Sequence, residues 1–500
     1  MKKFLFTLTL MLIAGLSYSQ TTYYWVGGTA ATSYTSNSNW NTQLDGLGTS
    51  RSVAASNDIL VFDGTNVGGT IPTTGQVTTT ASSTNSGRLV LQNNANIIIG
   101  RASAGSAVIT INGDGTSAED LQVNAGCTLT LGMAIYNYDV QVVMGAGATG
   151  LVNGTVYLSP LSNTVHTRSF ITVVTANSFV FNTGSAVHIT DSLASSGFNA
   201  SAIGSINFKT GASLYYYTGR SPMGSSSTIQ FLNLDPGSNV YFMNSNVSYL
   251  DGITSYTSSA WSNLKTYSNI FVKNGATFKS DGPFYKIEDL TIDNACTFIT
   301  HTSGNTPVLG NLTVNGTLNG PLNSTNTVIM GGNNLQTISG IGTIDVPSLT
   351  IANYSDVVLA KSVNVLNNVN VVGKINFGAA NKVTGSASFT SRVNGTAANL
   401  TGNTVAGSYQ ITNIVGTITG VTGLAVVGSS LSANTNVVGF SASNALINLS
   451  KPALATATGV SFTFMSDTAT LVTANPNGMD TLTGSVVVTD IKSFQSGTNY

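Results

Sequence analysis

Two short acidic segments hold the strongest candidates for chemistry in this chain. The first is NGDGTSAED (112–120), with Asp114, Glu119 and Asp120, and the second is DGPFYKIEDLTIDN (281–294), with Asp281, Glu288, Asp289 and Asp293. Hydrolysis of a glycosidic bond usually needs two carboxyl groups about 5–10 Å apart. Asp is equally typical of turns between strands. Because no His or basic residue is paired with either segment as an acid–base partner, the turn interpretation is favoured, and no catalytic residue is assigned.

The first acidic segment also suggests a structural calcium ion. Asn112, Asp114, Thr116 and Asp120 offer oxygens at loop-like spacing, and calcium takes about 6–8 oxygen ligands. The segment lacks the EF-hand pattern. The histidines are dispersed, without zinc-ligand spacing; they are His166, His188 and His301. Calcium is therefore the one cofactor that the sequence leaves open.

Aromatic residues are concentrated between residues 206 and 290, which hold 15 of the 41 in the chain. The candidates for a binding loop are Tyr249, Tyr256, Trp261 and Tyr267, with Asp251 and Lys265 among them. Exposed rings with hydrogen-bonding neighbours commonly bind sugar rings or protein partners. The alternative is that the aromatic residues of this region, such as Tyr215 to Tyr217 and Phe271, stack inside a wide coil.

Composition excludes several classes of protein. Only 7% of the 500 residues are charged and the mean hydropathy is +0.21, whereas disordered chains are charged and poor in apolar groups. With 18 basic against 19 acidic residues, the chain has no excess positive charge to attract nucleic acid.

The first 19 residues have the features of a secretory signal peptide. Lys2 and Lys3 precede an apolar run from Phe4 to Leu16, and Ser17 and Ser19 provide the small residues of a cleavage site. The run is shorter than the about 20 apolar residues that span a bilayer, and no later stretch is long enough. We therefore expect an exported protein without a transmembrane helix.

The cysteines of an exported protein invite a disulfide interpretation. Cys127 and Cys296 occupy similar contexts, AGCTLTLG and NACTFIT, and alanine fills the same slot in NGATFKS (274–280). A small buried apolar residue is therefore the favoured interpretation. If the slot repeats along a solenoid, the two thiols lie too far apart to bridge.

A repeated pattern fills the chain: a polar residue, a glycine or other small residue, then an apolar–polar–apolar triplet. The small residue stands at Gly184, Gly211, Gly237, Gly275, Ala295 and Gly316, with successive differences of 27, 26, 38, 20 and 21. Spacings of about 20–50 residues are typical of stacked coils, which share one core. Glycine or asparagine at the corners would supply the positive φ angles of the turns. The 38-residue interval indicates a coil with an insertion, which contains the aromatic candidates above.

The expected fold is all-β: a right-handed parallel β-helix with an N-terminal cap and a small C-terminal β module. The expected divisions are a signal peptide (1–19), a β cap (20–90), β-helix repeats (91–410) and a C-terminal β-rich module (411–500). A chain of β-sandwich domains is the alternative, since it also gives short strands every 8–12 residues or so.

Three N-terminal motifs, TTYYWVGGT (21–29), SNW (38–40) and NDILVFDG (57–64), carry a resemblance. They are similar in order and spacing to the opening of exported bacterial repeat proteins, namely Bacteroidetes-type surface proteins and autotransporter-like passengers. The resemblance implies a cap that leads into a β-helix, with Trp25, Trp40 and Phe62 packed inside the cap.

A second resemblance covers residues 421–464, from VTGLAVVG to GVSFTF. Its Gly-x-x-Val-x-Gly start, the strand after Asn436, the Leu-Ser before Pro-Ala and the closing Gly-Val-x-Phe-x-Phe strand look like a short β-rich module of phage structural and bacterial surface proteins. That resemblance implies a structural module without an active site.

These observations favour a non-enzymatic, adhesin-like or structural β-solenoid of a Gram-negative bacterium, extracellular or displayed at the cell surface. The expected partners are glycans or another cell surface, with self-association along strand edges as a further possibility. The rival is a carbohydrate-active β-helix enzyme, a polysaccharide lyase or glycoside hydrolase. Ice or mineral binding would need regular Thr-x-Thr rows, which the sequence does not show.

Overall fold

The protein is known from a computed structural model, and short β-strands dominate its architecture. The structure describes residues 20–28, 32–65, 75–79, 83–101, 105–116, 118–132, 139–158, 171–190, 197–200, 204–217, 232–243, 255–258, 269–280, 286–321, 323–391, 399–416, 421–441, 445–465, 469–479, 483–489 and 492–494. Within these ranges no helix is long and apolar enough to cross a membrane. The signal peptide expected at 1–19 lies outside them.

The first part of the chain forms wide coils. Its strands are β1 (Thr22–Trp25), β2 (Thr32–Ser33), β3 (Trp40–Asn41), β4 (Ile59–Asp63), β5 (Gly75–Thr79), β6 (Ser83–Ser86), β7 (Arg88–Gln92), β8 (Asn96–Arg101), β9 (Ser106–Ile111), β10 (Leu121–Val123), β11 (Thr128–Leu131), β12 (Asp139–Met144), β13 (Gly150–Val152), β14 (Thr155–Leu158), β15 (Ile171–Val173), β16 (Phe179–Phe181), β17 (Ala186–Ile189), β18 (Phe198–Ala200), β19 (Ile206–Phe208), β20 (Ser213–Tyr216), β21 (Leu232–Leu234) and β22 (Asn239–Met243). A short 3-10 helix, Asn37–Asn39, precedes β3.

Each wide coil adds its strands to parallel sheets that run along the solenoid. Sheet A runs from β3 and β1 to β21, sheet C from β6 to β18, and sheet B begins at β2 and takes one strand from each coil. Leu89 pairs with Leu121 and Ile206 with Leu232, so a coil takes between 32 and 26 residues. This pairing of coil with coil is the parallel β-helix that the repeat predicts.

The second part of the chain forms narrower coils. Its strands are β23 (Ser255–Ser258), β24 (Asn269–Lys273), β25 (Thr277–Ser280), β26 (Leu290–Ile292), β27 (Thr297–Ile299), β28 (Asn305–Val308), β29 (Leu312–Val314), β30 (Thr317–Asn319), β31 (Thr327–Met330), β32 (Leu335–Ser339), β33 (Thr343–Ile351), β34 (Asp356–Leu359), β35 (Val363–Val371), β36 (Lys374–Asn376), β37 (Val383–Gly385) and β38 (Ser388–Ser391). Sheet B continues through this part, and a new parallel sheet, sheet D, begins at β23. Paired threonines Thr277 and Thr297 are 20 residues apart.

Alternation of side chains explains why these sequences stack. In β14 and β17, Val156, Leu158, Val187 and Ile189 are fully buried, whereas the residues between them are partly exposed. Parallel pairing places Val156 beside Val187 and Leu158 beside Ile189. One apolar core therefore continues from coil to coil, because a single coil cannot bury its own inward face.

The repeated small residue marks corners, as predicted, and its φ angle is positive at each of the six positions except Gly316. Gly184, Gly211 and Gly237 have φ values near +79° and lie between sheet A and sheet B strands. Gly275 and Ala295, at φ +72° and +59°, lie instead between sheet B and sheet D strands.

From the 38-residue interval the sequence predicts one enlarged coil. The structure gives the interval a different origin. Gly237 and Gly275 stand at different corners, so the interval combines one coil with a further step. Asn239 pairs directly with Asn269, which makes that coil 30 residues long. The change from wide to narrow coils produced the irregular spacing.

The aromatic residues of the N-terminal cap pack as predicted. Trp25, Trp40 and Phe62 are buried, with ring centroids 5.1–5.5 Å apart. Tyr34 stacks edge-on against Trp40 at 5.6 Å, and the Trp40 indole N–H donates to its carbonyl. The short strand β3 pairs antiparallel with β1 at the end of sheet A. These contacts cover the apolar core at the first coil.

A closed barrel follows β38. Its strands are β39 (Asn399–Thr404), β40 (Gln410–Val415), β41 (Ala425–Val427), β42 (Thr435–Ser441), β43 (Leu446–Leu449) and β44 (Ala457–Met465), joined in the order β39-β40-β43-β42-β41-β44. It has a separate core, in which Phe462, Phe464 and Ile447 are fully buried.

The chain then returns to the solenoid, which differs from the expected division at residue 410. The last strands are β45 (Thr470–Val472), β46 (Val486–Val488) and β47 (Lys492–Phe494), and they pair in parallel with β36, β37 and β38. Leu471, Val486 and Val488 join the solenoid core. The barrel is thus an insertion within the β-helix, because the strands after it complete the next coil.

The barrel docks on the outside of the solenoid. Val437 belongs to the barrel core and Val328 to the solenoid core. The next residue along each strand, Val438 of β42 and Ile329 of β31, belongs to neither core and is nevertheless fully buried. The Asn353 amide donates to the carbonyl of Gly423 at 2.8 Å. Apolar contact and a backbone hydrogen bond therefore hold the two bodies together.

Both cysteines are buried free thiols. The Cys296 amide donates to Asp293 and the Ala276 amide to Lys273, so the two residues occupy the same slot of successive turns. Burial raises the pKa of both thiols. The interpretation of these cysteines as small core residues is confirmed.

Replacement of Trp40 tests the cap. Trp40→Ala removes the central ring and leaves a cavity, so we expect a loss of about 3–5 kcal/mol in the free energy of unfolding of residues 20–500. Chemical denaturation followed by circular dichroism measures it. The matched control is Leu47→Ala, because Leu47 is 83% exposed. A Trp40→Ala value as small as that of the control would contradict the packing role.

Candidate functional site

The aromatic loop expected from the sequence lies largely outside the described residues. Tyr249, Trp261 and Tyr267 fall outside them, and for Tyr256 the structure describes the backbone, which pairs with Phe278 on β25. A binding role for these four residues stays a prediction.

The first acidic segment forms hydrogen bonds between turns. Asp114 accepts from the amide and hydroxyl of Thr116 at 2.8 and 2.6 Å, and its other oxygen lies 3.5 Å from Arg88 Nε. Asp120 accepts from the Asp114 amide at 3.0 Å and from the Thr149 amide at 2.8 Å. The carboxylates therefore cap turns and tie one coil to the next.

The residues expected to bind calcium in this segment use their side chains in hydrogen bonds. Thr116 donates to Asp114, and the Asn112 side chain donates to the carbonyl of Ser56 at 3.3 Å. Glu119, the third acidic residue of the segment, accepts a hydrogen bond from Arg88 Nε at its backbone carbonyl, at 3.1 Å. Among the described residues no three His, Cys, Asp or Glu side chains are grouped to hold a metal ion.

An aromatic ladder runs along the outer face of sheet B. Its rings are Tyr157, His188, Tyr215, Tyr241 and Phe271, one from each of five successive strands. Successive ring centroids are 4.4, 4.4, 4.4 and 4.7 Å apart, with interplanar angles of 15° or less. All five side chains are partly exposed.

Stacking in the ladder uses the faces of the rings. Each inner ring has a neighbour on both faces, and His188 Nδ1 lies 3.3 Å from the Tyr217 hydroxyl. Burial lowers the pKa of His188 to about 4 and raises the pKa of Tyr157 and Tyr241. His188 is therefore uncharged at neutral pH, and the inner rings of the ladder offer no open face to a sugar ring.

The alternative, that Tyr215 to Tyr217, Phe231, Phe242 and Phe271 stack inside a wide coil, holds for Phe242, which is fully buried, while Phe231 lies outside the described residues. Tyr216 is fully buried, whereas Tyr215 and Phe271 belong to the outer ladder. Tyr157 and His188, which complete the ladder, were not recognised. The sequence feature that marks them is their position: each lies two residues after the first residue of its sheet B strand.

The second acidic segment reaches the boundary between solenoid and barrel. The sequence interpretation paired no basic residue with this segment, but Glu288 pairs with Lys286 at 3.0 Å; it also accepts from the Gly237 amide at 3.1 Å. Asp289 accepts from the Asn311 amide at 2.6 Å. Asp293 pairs with Lys273 at 3.2 Å beside the aromatic ladder. Asp281 lies outside the described residues.

A cleft of about 520 Å³ opens where these residues meet the barrel. We call it the interbody cleft, and it is lined by Lys286, Glu288, Asp289, Leu309, Gly310, Gly332, Asn333, Asn334, Tyr409, Ser450, Lys451 and Pro452. Lys286 bridges the two bodies: its Nζ lies 4.4 Å from the ring centroid of Tyr409 and 3.3 Å from the Tyr409 hydroxyl. Sequence reasoning singled out Glu288 and Asp289 but missed the barrel residues.

Comparison of the chain with protein-family models, with curated proteins and with solved structures gives no match.

The ladder predicts a dependence of stability on pH. Since folding lowers the pKa of His188 from 6.5 to about 4, the folded state binds this proton less readily than the unfolded state. The free energy of unfolding is therefore highest above pH 6.5 and decreases as the pH falls toward 4. At 1.36 kcal/mol per pKa unit, the decrease is about 3 kcal/mol.

Denaturation of the wild type and of His188→Phe at pH 7.5 and 4.5 measures this effect. The phenylalanine ring preserves the stack, and the carboxylates titrate alike in both proteins. We expect the variant to lose about 2–3 kcal/mol less than the wild type between the two pH values. Equal losses would show that His188 does not carry the effect.

Proposed function

We propose that the protein is an exported, non-enzymatic β-solenoid that acts as an adhesin-like or structural stalk, in the extracellular space or at the cell surface of a Gram-negative bacterium. The observation that carries the proposal is the closed barrel inserted into a coil and docked on the flank of the continuous β-helix. The solenoid strands before and after the barrel, β38 and β45, belong to neighbouring coils. A body held in this way is presented at a constant position on a rigid support.

The positions of the described carboxylates support a binding rather than a catalytic role. Asp114 and Asp120 accept hydrogen bonds from backbone amides, and so do Glu288 and Asp289. A glycosidase needs one carboxyl group that delivers a proton and a second that acts on the opposite side of the sugar. Carboxylates used as turn caps fit the scaffold of a stalk.

Export and surface display are supported by the sequence. Residues 1–19 have the pattern of a secretory signal peptide, and the N-terminal motifs resemble those of Bacteroidetes-type outer surface proteins. The outer faces carry few charges, since 7% of residues are charged. Such a polar surface suits contact with glycans or with another cell surface.

The proposal is tested with purified residues 20–500 on a glycan array and on whole bacterial and host cells. We expect binding without release of reducing or unsaturated sugar ends from any polysaccharide. Trp261→Ala, applied in parallel, reports whether the predicted aromatic loop contributes to binding.

Polysaccharide cleavage that is lost in Asp289→Ala would contradict the proposal and establish the carbohydrate-active enzyme instead. Absence of binding to every glycan and cell would contradict the adhesin-like role and leave a purely structural stalk.

A further inference from the structure

The interbody cleft combines side chains from three distant parts of the chain. Lys286, Glu288 and Asp289 precede β26, Asn333 and Asn334 form the turn before β32, and the barrel supplies Tyr409, Ser450 and Lys451. Clefts between two bodies are common ligand sites, and their usual volume of about 300–1,000 Å³ includes the volume found here.

The floor of the interbody cleft is held in place before any ligand arrives. Lys286 is 6% exposed, and its ammonium group contacts Glu288 on the solenoid and Tyr409 on the barrel. A cation over an aromatic ring and an ion pair that is mostly buried both resist rearrangement. The two walls of the cleft are therefore fixed relative to each other.

The turns on the solenoid side are fixed by a buried amide. Gln336 accepts from the Gly332 amide at 2.9 Å and donates to the carbonyls of Val308 and Gly310 at 3.0 and 2.6 Å. A Cβ at Gly332 would lie 1.9 Å from the carbonyl oxygen of Leu309. Glycine is therefore required at this wall, and no side chain from it fills the cleft.

Several lining groups keep hydrogen-bonding capacity. Asn334 is exposed and makes no side-chain hydrogen bond with the described residues. The ammonium of Lys451 donates once, to the carbonyl of Ala433 at 2.8 Å, and has three donors. Asp289 uses one carboxylate oxygen for the Asn311 amide. An amide, an ammonium and a carboxylate can thus each serve a ligand as donor or acceptor.

The charges of the interbody cleft balance. Lys286 and Lys451 oppose Glu288 and Asp289, so the cleft has no net charge to favour an anion or a cation. Paired donors and acceptors beside a tyrosine ring match hydroxyl groups, which donate and accept at once. A phosphate or a polyanion would meet two carboxylates.

We infer that the interbody cleft is a binding site for a neutral oligosaccharide, one end of which lies against Tyr409 while its hydroxyl groups contact Asp289, Asn334 and Lys451. This inference rests on the proposed function, because it names the ligand class and the place at which the stalk binds it. It separates recognition from the aromatic ladder, whose inner rings are covered on both faces.

The test is calorimetric titration of residues 20–500 with cellotetraose, laminaritetraose, chitotetraose and mannotriose, with a heparin tetrasaccharide and inorganic phosphate as anionic probes. We expect a neutral probe to bind the wild type, with about tenfold weaker binding for Asn334→Ala and for Lys451→Ala, since each variant removes a hydrogen bond to the ligand. Asn334→Trp, which adds bulk in the cleft, should abolish binding.

Matched controls are Asn368→Ala and Lys361→Ala, on solenoid residues outside the cleft; both should bind like the wild type. Circular dichroism confirms that every variant is folded. Unchanged binding in the three cleft variants would overturn the inference and leave the proposed function intact. Binding of the anionic probes alone would overturn the ligand class, and failure of the wild type to bind any probe would overturn the assignment of a saccharide site.

Discussion

Backbone hydrogen bonds between successive coils are the constraint on which the rest of the structure depends. Parallel pairing aligns equivalent residues, so that Leu89 lies beside Leu121 in sheet A and Val156 beside Val187 in sheet B. A residue type that suits one coil then meets the same position of the next. The apolar core and the outer aromatic ladder both follow from this register.

Insertion of the barrel is compatible with that register because it begins and ends at neighbouring positions. β38 and β47 pair with each other, and β36 pairs with β45, so the solenoid resumes one coil after the point of departure. The interbody cleft exists because the inserted barrel lies against the outer face of earlier coils. The proposed binding site is therefore a consequence of where the insertion interrupts the repeat.

The sequence predicts the parts of this structure that depend on local pattern. The corner residues and the packing of Trp25, Trp40 and Phe62 were within its reach. The return of the chain to the solenoid was not, since β36 pairs with β45 across the whole barrel and Lys374 and Thr470 are 96 residues apart. The cleft was beyond reach as well, because Lys286 and Tyr409 lie 123 residues apart and meet through docking of a second body.

The central claim is that the barrel interrupts a β-helix that continues after it. Hydrogen–deuterium exchange of residues 20–500 tests it most directly, at the amides of β45 and β46. We expect residues 470–472 and 486–488 to exchange as slowly as their partners in β36 and β37. Exchange of these segments at the rate of unstructured chain, with the partners protected, would contradict the account.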